Sequence, residues 1–267
     1  MIATSLAADG RTVLSRLLSA PPLTLRQTGP HAVRLVSTAA GPLGGDDLEL
    51  RLDLAPGTTL DVGSVAATLV LPGDGESSMR ITATVGESAV LRFTPEPTVL
   101  AAGCAHRTHV QLALAENARV LWREELVFGR YGETPGRCHA RFDATLAGRP
   151  LLRQEYTVGD PLLDRSPAVY GDARCIGTAL LTLPSITTSA GEEQAVGSPP
   201  EGSPTQSSPT GGRLDQSVLG DGVAVLPLAG PAVLVSALAG DAVELRQRLE
   251  WGESVVAPGR RAEAVLW

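Results

Sequence analysis

The chain has 267 residues and a formal net charge of −7, and all 22 of its basic residues are arginine. The absence of lysine excludes a P-loop NTPase, whose phosphate-binding motif requires one, and it excludes Schiff-base chemistry. The acidic balance and the lack of a basic stripe make nucleic acid an unexpected partner.

Short strands are predicted along most of the chain. In Leu48–Leu54 the leucines alternate with charged residues, which indicates a strand with one apolar face. Similar runs, separated by turn residues, cover 59–71, 79–85, 89–93, 98–103, 109–114, 119–128, 137–146 and 151–158. The last two are expected to pair across the turn at 147–150. Many short strands of this kind predict an all-β fold, and no repeat of the length typical of a propeller is visible.

A helix is predicted only in the C-terminal part of the chain. Within Asp241–Trp251, Asp241 can cap the N-terminus and Glu244 stands where a capping box requires an acidic residue. The apolar run 223–238 before it is compatible with either a buried strand or a second helix, because periodicity does not separate the two. One or two helices are therefore expected, mainly near the C-terminus.

Residues 189–212 differ in composition from the rest, since Ser, Pro and Gly dominate and there is no aromatic residue. Such a segment buries too little apolar surface to fold, so a disordered insert is predicted. The portion that follows it is expected to pack back onto the β-rich body. Residues 1–267 are therefore interpreted as a single domain.

Neither a membrane anchor nor a disulfide framework is expected. No stretch reaches the ~20 apolar residues of a membrane span. The first 20 residues include Asp9 and Arg11 and lack a long apolar run, so no signal peptide is predicted. The three cysteines, Cys104, Cys138 and Cys175, are too widely spaced to suggest a disulfide or zinc-ribbon pattern. A cytoplasmic protein is expected.

The candidate metal ligands are Cys104, His106 and His109. A thiolate and imidazole nitrogens suit Ni²⁺ or Zn²⁺. In a regular strand, however, Cys104 and His106 lie on one face and His109 lies on the other. The three converge only if the strand contains a bulge, so a nickel-storage site remains one alternative among several.

A charged segment, Glu124–Glu133, contains two adjacent carboxylates followed by a turn. Two glycines flank Arg130 and Tyr131, which indicates a tight bend. The segment can be the polar tip of a hairpin, a binding surface, or the acid–base pair of a carbohydrate-active β-enzyme that uses Glu124 or Glu125 with Glu133. Adjacent strand residues point to opposite faces, so one of the two carboxylates is expected to be solvated.

A second glycine-rich turn includes Gly44, Gly45 and Asp46. It precedes a predicted strand rather than a helix, so it lacks the helix N-terminus of a phosphate-binding loop. From the residues alone, a tight turn is the favoured interpretation.

Five motifs in order carry a family resemblance. They are GRTVLSRL (Gly10–Leu17), PLTL (Pro22–Leu25), GPLGGDDLELRL (Gly41–Leu52), FTPEPTVLAAGCAHRTHV (Phe93–Val110) and WREELVFGRYGE (Trp122–Glu133). Together they resemble the urease accessory protein D family over about residues 10–160, with a weaker resemblance in the apolar tail after the insert. The resemblance implies an all-β, helicoid-like body with many short strands and a non-catalytic role. Members bind urease apoprotein and the accessory protein F, which recruits the nickel-carrying GTPase, accessory protein G.

The resemblance also implies which residues act. It implies no tightly bound cofactor, transient Ni²⁺ in an internal polar passage, and support for carbamylation of a urease lysine. The residues that match the motifs, and that are expected to line the passage or contact a partner, are Gly44, Gly45, Asp46, Glu124, Glu125, Gly129, Arg130, Gly132 and Glu133. The sequence departs from the family pattern at Ser64–Leu69, where relatives carry an amide and a lysine, so polar contacts there are in doubt.

Overall fold

A computed structural model describes residues 1–183 and 216–256. The predicted disordered insert at 189–212 lies outside the described residues. Strands predominate, and the helices are one short turn and one longer C-terminal helix. The strands are β1 (Ile2–Leu6), β2 (Thr12–Leu17), β3 (Leu23–Gln27), β4 (Ala32–Ser37), β5 (Asp47–Leu54), β6 (Thr59–Ser64), β7 (Thr68–Val70), β8 (Ser77–Val85), β9 (Val90–Phe93), β10 (Thr98–Leu100), β11 (Ala105–Leu114), β12 (Arg119–Val127), β13 (Arg137–Leu146), β14 (Arg149–Val158), β15 (Cys175–Thr182), β16 (Val218–Gly220), β17 (Val223–Pro227) and β18 (Ala232–Ala239); the helices are α1 (Pro161–Asp164) and α2 (Ala242–Val256).

The strands form two sheets. The seven-stranded sheet has the order β14-β13-β11-β8-β5-β1-β2. The eleven-stranded sheet has the order β16-β17-β18-β15-β12-β9-β6-β4-β3, and β10 and β7 join it beside β12. The C-terminal strands β16, β17 and β18 thus belong to the same sheet as β3 and β4. The predicted all-β, helicoid-like class is confirmed.

The central part of the chain winds in coils that cross between the two sheets. Strands β5, β8, β11 and β13 are parallel neighbours, with Asp47 paired to Ser78, Ser78 to Arg107 and Arg107 to His139. Each coil is therefore about 30 residues long. Strands β6, β9 and β12 stack in the same way in the eleven-stranded sheet. A parallel stack requires such crossovers, and here the second sheet supplies them instead of helices.

The main core lies between the sheets. Its largest side chain, Trp122, stacks on Phe93 with ring centroids 4.1 Å apart and meets the edge of Phe142 at 5.8 Å. Leucines of β5 complete it, since Leu50 and Leu52 are fully buried while their charged neighbours face solvent, as the alternation predicted. Burying these rings and leucines contributes roughly 1.5–3 kcal/mol per side chain.

The C-terminal portion packs onto the outer face of the eleven-stranded sheet. Leu245 and Leu249 of α2 are fully buried against β15 and β18. Asp241 caps α2 as predicted, accepting from the N–H groups of Val243 and Glu244 at 2.9 Å. The capping box is shifted by one residue, because Glu244 accepts from the N–H of Gly240. Among the described residues, no helix is long and apolar enough to cross a membrane.

The structure corrects one predicted strand and decides one element that the sequence left open. The run 59–71 is not one strand, because residues 65–67 interrupt it and separate β6 from β7. The apolar run 223–238 forms the antiparallel strands β17 and β18, which settles the alternative between strand and helix. The predicted pairing of β13 with β14 is confirmed, with a turn of Ala147 and Gly148 in positive φ.

Candidate functional site

A cavity of about 190 Å³ lies between the two sheets. Its walls are largely apolar and include Phe93 and Ile81. Five titratable residues line it: Glu124 from β12, His106 from β11 and Tyr156 from β14, and also Glu96 and Glu125, which lie on either side of a break in the sheet. Space for several water molecules beside a few convergent polar groups is the usual form of a binding site.

The cavity borders a break in the eleven-stranded sheet. Strand β12 pairs with β9 as far as Trp122 and with β10 from Leu126 onward. Within the described residues, 123–125 therefore have no ladder partner on that side. The chain opposite them is 94–97, where Pro95 and Pro97 have no N–H to donate. One coil earlier in the chain, 65–67 form a similar break between β6 and β7.

These breaks lie side by side, because β6 pairs with β9 and β7 pairs with β10. We call the row formed by residues 65–67, 94–97 and 123–125 the seam. It is held together across the coils by the Glu96 N–H, which donates to Ser64 Oγ at 2.8 Å, and by the Thr68 N–H, which donates to the Pro97 carbonyl at 2.9 Å. Val65 is 62% exposed and also lines the cavity, so the cavity reaches the surface at the seam.

Glu124 faces the cavity from the inner face of β12. Burial raises the pKa of Glu124 from 4.5 to about 7. The nearby indole N–H of Trp122 lowers the pKa of Glu124 and so opposes the effect of burial, although no hydrogen bond of normal geometry joins the two groups. A carboxyl group in this state changes charge near neutral pH and has few protein partners competing for its oxygens.

Glu124→Gln is expected to stabilise the fold more at about pH 8 than at about pH 5, with a difference of about 2–3 kcal/mol. Because the folded-state pKa is raised above the unfolded value, the native state holds the proton more tightly. The penalty of ionising Glu124 is absent below about pH 4.5, grows up to pH 7 and is fully present above it. Urea denaturation at the two pH values measures it, and the exposed Glu116→Gln is the matched control. Equal effects of Glu124→Gln at both pH values would contradict the shift.

Glu125 and Arg123 lie on the opposite face of β12, under α2. Arg123 forms a bidentate ion pair with Glu253, with N–O distances of 2.6, 2.8 and 2.9 Å. Glu125 is 5% exposed and its Oε1 lies 3.4 Å from Arg246 Nη2. Burial raises the pKa of Glu125, and Arg246 and Arg123 oppose that rise. The two glutamates do point to opposite faces, but the expectation that one is solvated is wrong, because neither is exposed: Glu124 faces the cavity, and Glu125 lies under α2 and borders the cavity only at the seam.

The turn at Gly129–Glu133 is a corner of the coil. The alternative of a hairpin tip is wrong, because β12 and β13 belong to different sheets. Glu133 accepts from the backbone N–H of Arg130 at 3.0 Å and from its Nε at 2.8 Å. The Arg130 hydrogen bonds lower the pKa of Glu133 to about 2. Gly129 has φ +84°, where a Cβ would lie 2.9 Å from the Thr134 carbonyl oxygen. The turn is therefore rigid, and it presents Tyr131 fully exposed to solvent.

Gly44, Gly45 and Asp46 hold two coils together. A Cβ on Gly44 would lie 2.6 Å from the Gly75 carbonyl oxygen, so only glycine fits there. Asp46 Oδ2 accepts from the Leu43 N–H at 2.8 Å. Their observed contacts are within the turn and to the neighbouring coil, and the nearby Gly41 and Pro42 line the cavity instead.

The structure does not bring the three predicted metal ligands together. His106 faces inward, bonds Ser77 Oγ through Nδ1 at 2.9 Å, and has its pKa lowered to about 4 by burial. His109 is on the outer face, 2.9 Å from Asp143. Cys104 is buried, and burial raises its pKa to about 11. Within 1–183 and 216–256, no group of three or more His, Cys, Asp or Glu side chains is placed to hold a metal.

Sequence reasoning missed Glu96, Arg246, Glu253 and Tyr156. Arg246 and Glu253 are seven residues apart in α2, which places them on one helix face with the buried Leu249. Charged residues on an otherwise apolar helix face were the available signal. Glu96 lies between two prolines, and that pattern predicts only a turn.

Comparison with known proteins decides the family. The family model described as UreD urease accessory protein matches residues 2–264. The chain belongs to the UreD family. The UreD urease accessory protein of Frankia casuarinae is 40% identical, and the match covers 92% of this chain and 85% of that protein. That of Streptomyces coelicolor is 38% identical over 91% of this chain and 90% of its own length. The match to the UreD family model thus covers the predicted resemblance at 10–160 and also the C-terminal portion, where the resemblance was weaker.

Proposed function

We propose that this UreD-family protein is a non-catalytic chaperone that passes Ni²⁺ to urease apoprotein, in a cytoplasmic complex with the accessory proteins F and G. Its family supports a role in urease maturation. Its lack of lysine means that the GTPase lysine and the carbamylated lysine belong to its partners. Neither nucleic acid nor a membrane is part of the proposal.

The observation that carries the proposal is the placement of Glu124. Its carboxylate faces an internal cavity with His106 and Tyr156 on the opposite sheet. Oxygen and imidazole donors suit a borderline cation such as Ni²⁺. One carboxylate with few fixed partners binds such a cargo weakly, and weak binding permits release. Ni²⁺ is the cargo here and no resident cofactor is proposed.

The geometry favours this function over the two alternatives. A glycosidase needs two carboxyl groups that flank one bond. Glu124 and Glu125 point to opposite sides of the sheet, and Glu133 is paired with Arg130 in an exposed corner with its pKa held near 2. Nickel storage would require Cys104, His106 and His109 to converge, and they do not.

The rigid corner with Tyr131 is proposed as a partner contact. Exposed aromatic side chains on preorganised backbone are common at the centre of protein interfaces. Two contacts stabilise this corner. Arg130 Nε donates to Glu133 Oε1 at 2.8 Å, and Arg174 Nη2 donates to the carbonyls of Phe128 and Glu133. Its partner is either urease apoprotein or accessory protein F.

Omitting the chain from cells that co-express urease with F and G tests the function. Urease subunits are expected to assemble, because assembly needs no metal delivery, but to contain little nickel and to hydrolyse urea slowly. Activity and metal content of the purified urease provide the measurement, and re-expression of the intact chain is the control. Fully active urease without the chain would contradict the proposal.

A further inference from the structure

Arg246 bridges the two sides of the seam. Its Nη2 donates to Glu96 Oε2 at 3.0 Å and to Glu125 Oε1 at 3.4 Å. Glu96 lies on the 94–97 side of the gap and Glu125 on the β12 side. Both glutamates line the cavity, Glu125 at the seam edge of β12. The guanidinium therefore spans the place where the eleven-stranded sheet has no ladder bonds.

This bridge is incompletely satisfied. Glu125 Oε2 and Arg246 Nε are buried and have no hydrogen-bond partner. An unmade bond of a buried polar group is costly, so the bridged arrangement is held less firmly than a fully paired one. The Glu96 end is also open to water, since its side chain is 42% exposed.

A separate contact holds α2 in place. One and two turns beyond Arg246, Leu249 is fully buried and Glu253 forms the buried bidentate pair with Arg123. Arg246 itself is 35% exposed at its side chain. Arg246 can thus leave Glu96 by a side-chain rotation while α2 remains attached to β12.

We infer that Arg246 is a gate on the cavity: bridging Glu96 and Glu125 closes the seam, and releasing Glu96 opens a lateral route for a divalent cation. The inference rests on the proposed function of the cavity as a route for Ni²⁺. It adds a second opening, between 94–97 and 123–125, to the one at Val65, and it names the residues that control it. The charged groups around Arg246 are Glu96 from the seam, Glu125 and Arg123 from β12, and Glu253 from α2.

Quenching of Trp122 fluorescence by Ni²⁺ measures entry into the cavity. Trp122 is buried, stacks on the cavity-lining Phe93 and lies beside Glu124. The chain has three tryptophans, so Trp251→Phe with Trp267→Phe leaves Trp122 as the reporter. The full chain in this background is mixed rapidly with NiCl₂. Glu96→Gln and Arg246→Gln are compared with Arg51→Gln, an exposed ion-pair arginine on the outer face of the other sheet.

Both Glu96→Gln and Arg246→Gln are expected to speed quenching about tenfold, as removal of a contact worth about 1.4 kcal/mol would. Arg51→Gln is expected to leave the rate unchanged. Slower quenching in Glu96→Gln would show that Glu96 only attracts the cation, which overturns the gate. Because Glu96 lies outside α2, this variant tests the gate even if Arg246→Gln loosens the helix.

Two further outcomes separate the gate from the proposed function. Quenching at the same rate in all variants overturns the gate but leaves the cavity as a nickel route with another entrance. Absence of quenching in every variant contradicts the nickel route itself, and the gate with it.

Discussion

Replacing Glu253 with alanine is expected to lower the free energy of unfolding by about 3–5 kcal/mol. The substitution leaves the guanidinium of Arg123 buried without its bidentate partner, in a protein region from which water is excluded. Glu125 remains 3.9 Å from Arg123 but forms no hydrogen bond with it. Leaving a buried charge without its hydrogen-bonded partner is one of the largest costs a single substitution can cause. Urea denaturation followed by circular dichroism measures the change.

Two controls identify the cause. Asp9→Ala breaks the exposed pair with Arg11 and is expected to change stability little. The double variant Arg123→Met with Glu253→Leu removes both charges and is expected to recover much of the loss. A single Glu253→Ala that costs no more than Asp9→Ala would show that the buried pair does not anchor α2.

Glu124→Gln is expected to reduce urease activation by about tenfold or more, a loss typical of removing a group that tunes metal binding. The amide keeps the shape of the side chain but removes the negative charge facing the cavity. Folding is expected to be preserved, since the neutral amide is easier to bury than a carboxylate. The measurement is urea hydrolysis by urease purified from cells that co-express each variant with F and G.

Matched variants separate charge from position. Glu116→Gln makes the same change on an exposed turn and is expected to leave activation intact. Glu124→Asp keeps the charge on a shorter side chain and is expected to retain more activation than Glu124→Gln. Loss of activation in both Glu124→Gln and Glu116→Gln, or in neither, would remove Glu124 from the route.

The strands could be predicted because their signals are local. Alternation in Leu48–Leu54 and the turn residues after it depend on neighbours in sequence, and β5 appears as expected. The coil could not be predicted from the residues, because about 30 residues separate Asp47 from its partner Ser78 and stacking requires only apolar alternation, which many sequences satisfy. Strands β1 to β4 were not predicted as strands, and only the motifs Gly10–Leu17 and Pro22–Leu25 were noted in that region. Their charged and apolar residues alternate less regularly than those of β5.

The candidate site was predicted in part. The period of a strand placed Glu124 and Glu125 on opposite faces, and the glycines predicted the corner at Arg130 and Glu133. Sequence could not show which face meets a cavity and which meets α2, because that depends on elements far away in the chain. Glu253 lies 130 residues from Arg123, and no local pattern connects them.

The role of Glu124 in nickel passage is measured most directly by the nickel content of urease matured with the Glu124→Gln variant. Urease is purified from cells that co-express F, G and either the intact chain or the variant, and nickel per active site is measured by elemental analysis. If Ni²⁺ passes Glu124, urease matured with the variant is expected to assemble with about tenfold less nickel than urease matured with the intact chain. Urease fully loaded with nickel would show that the cavity carboxylate is not on the route of the metal.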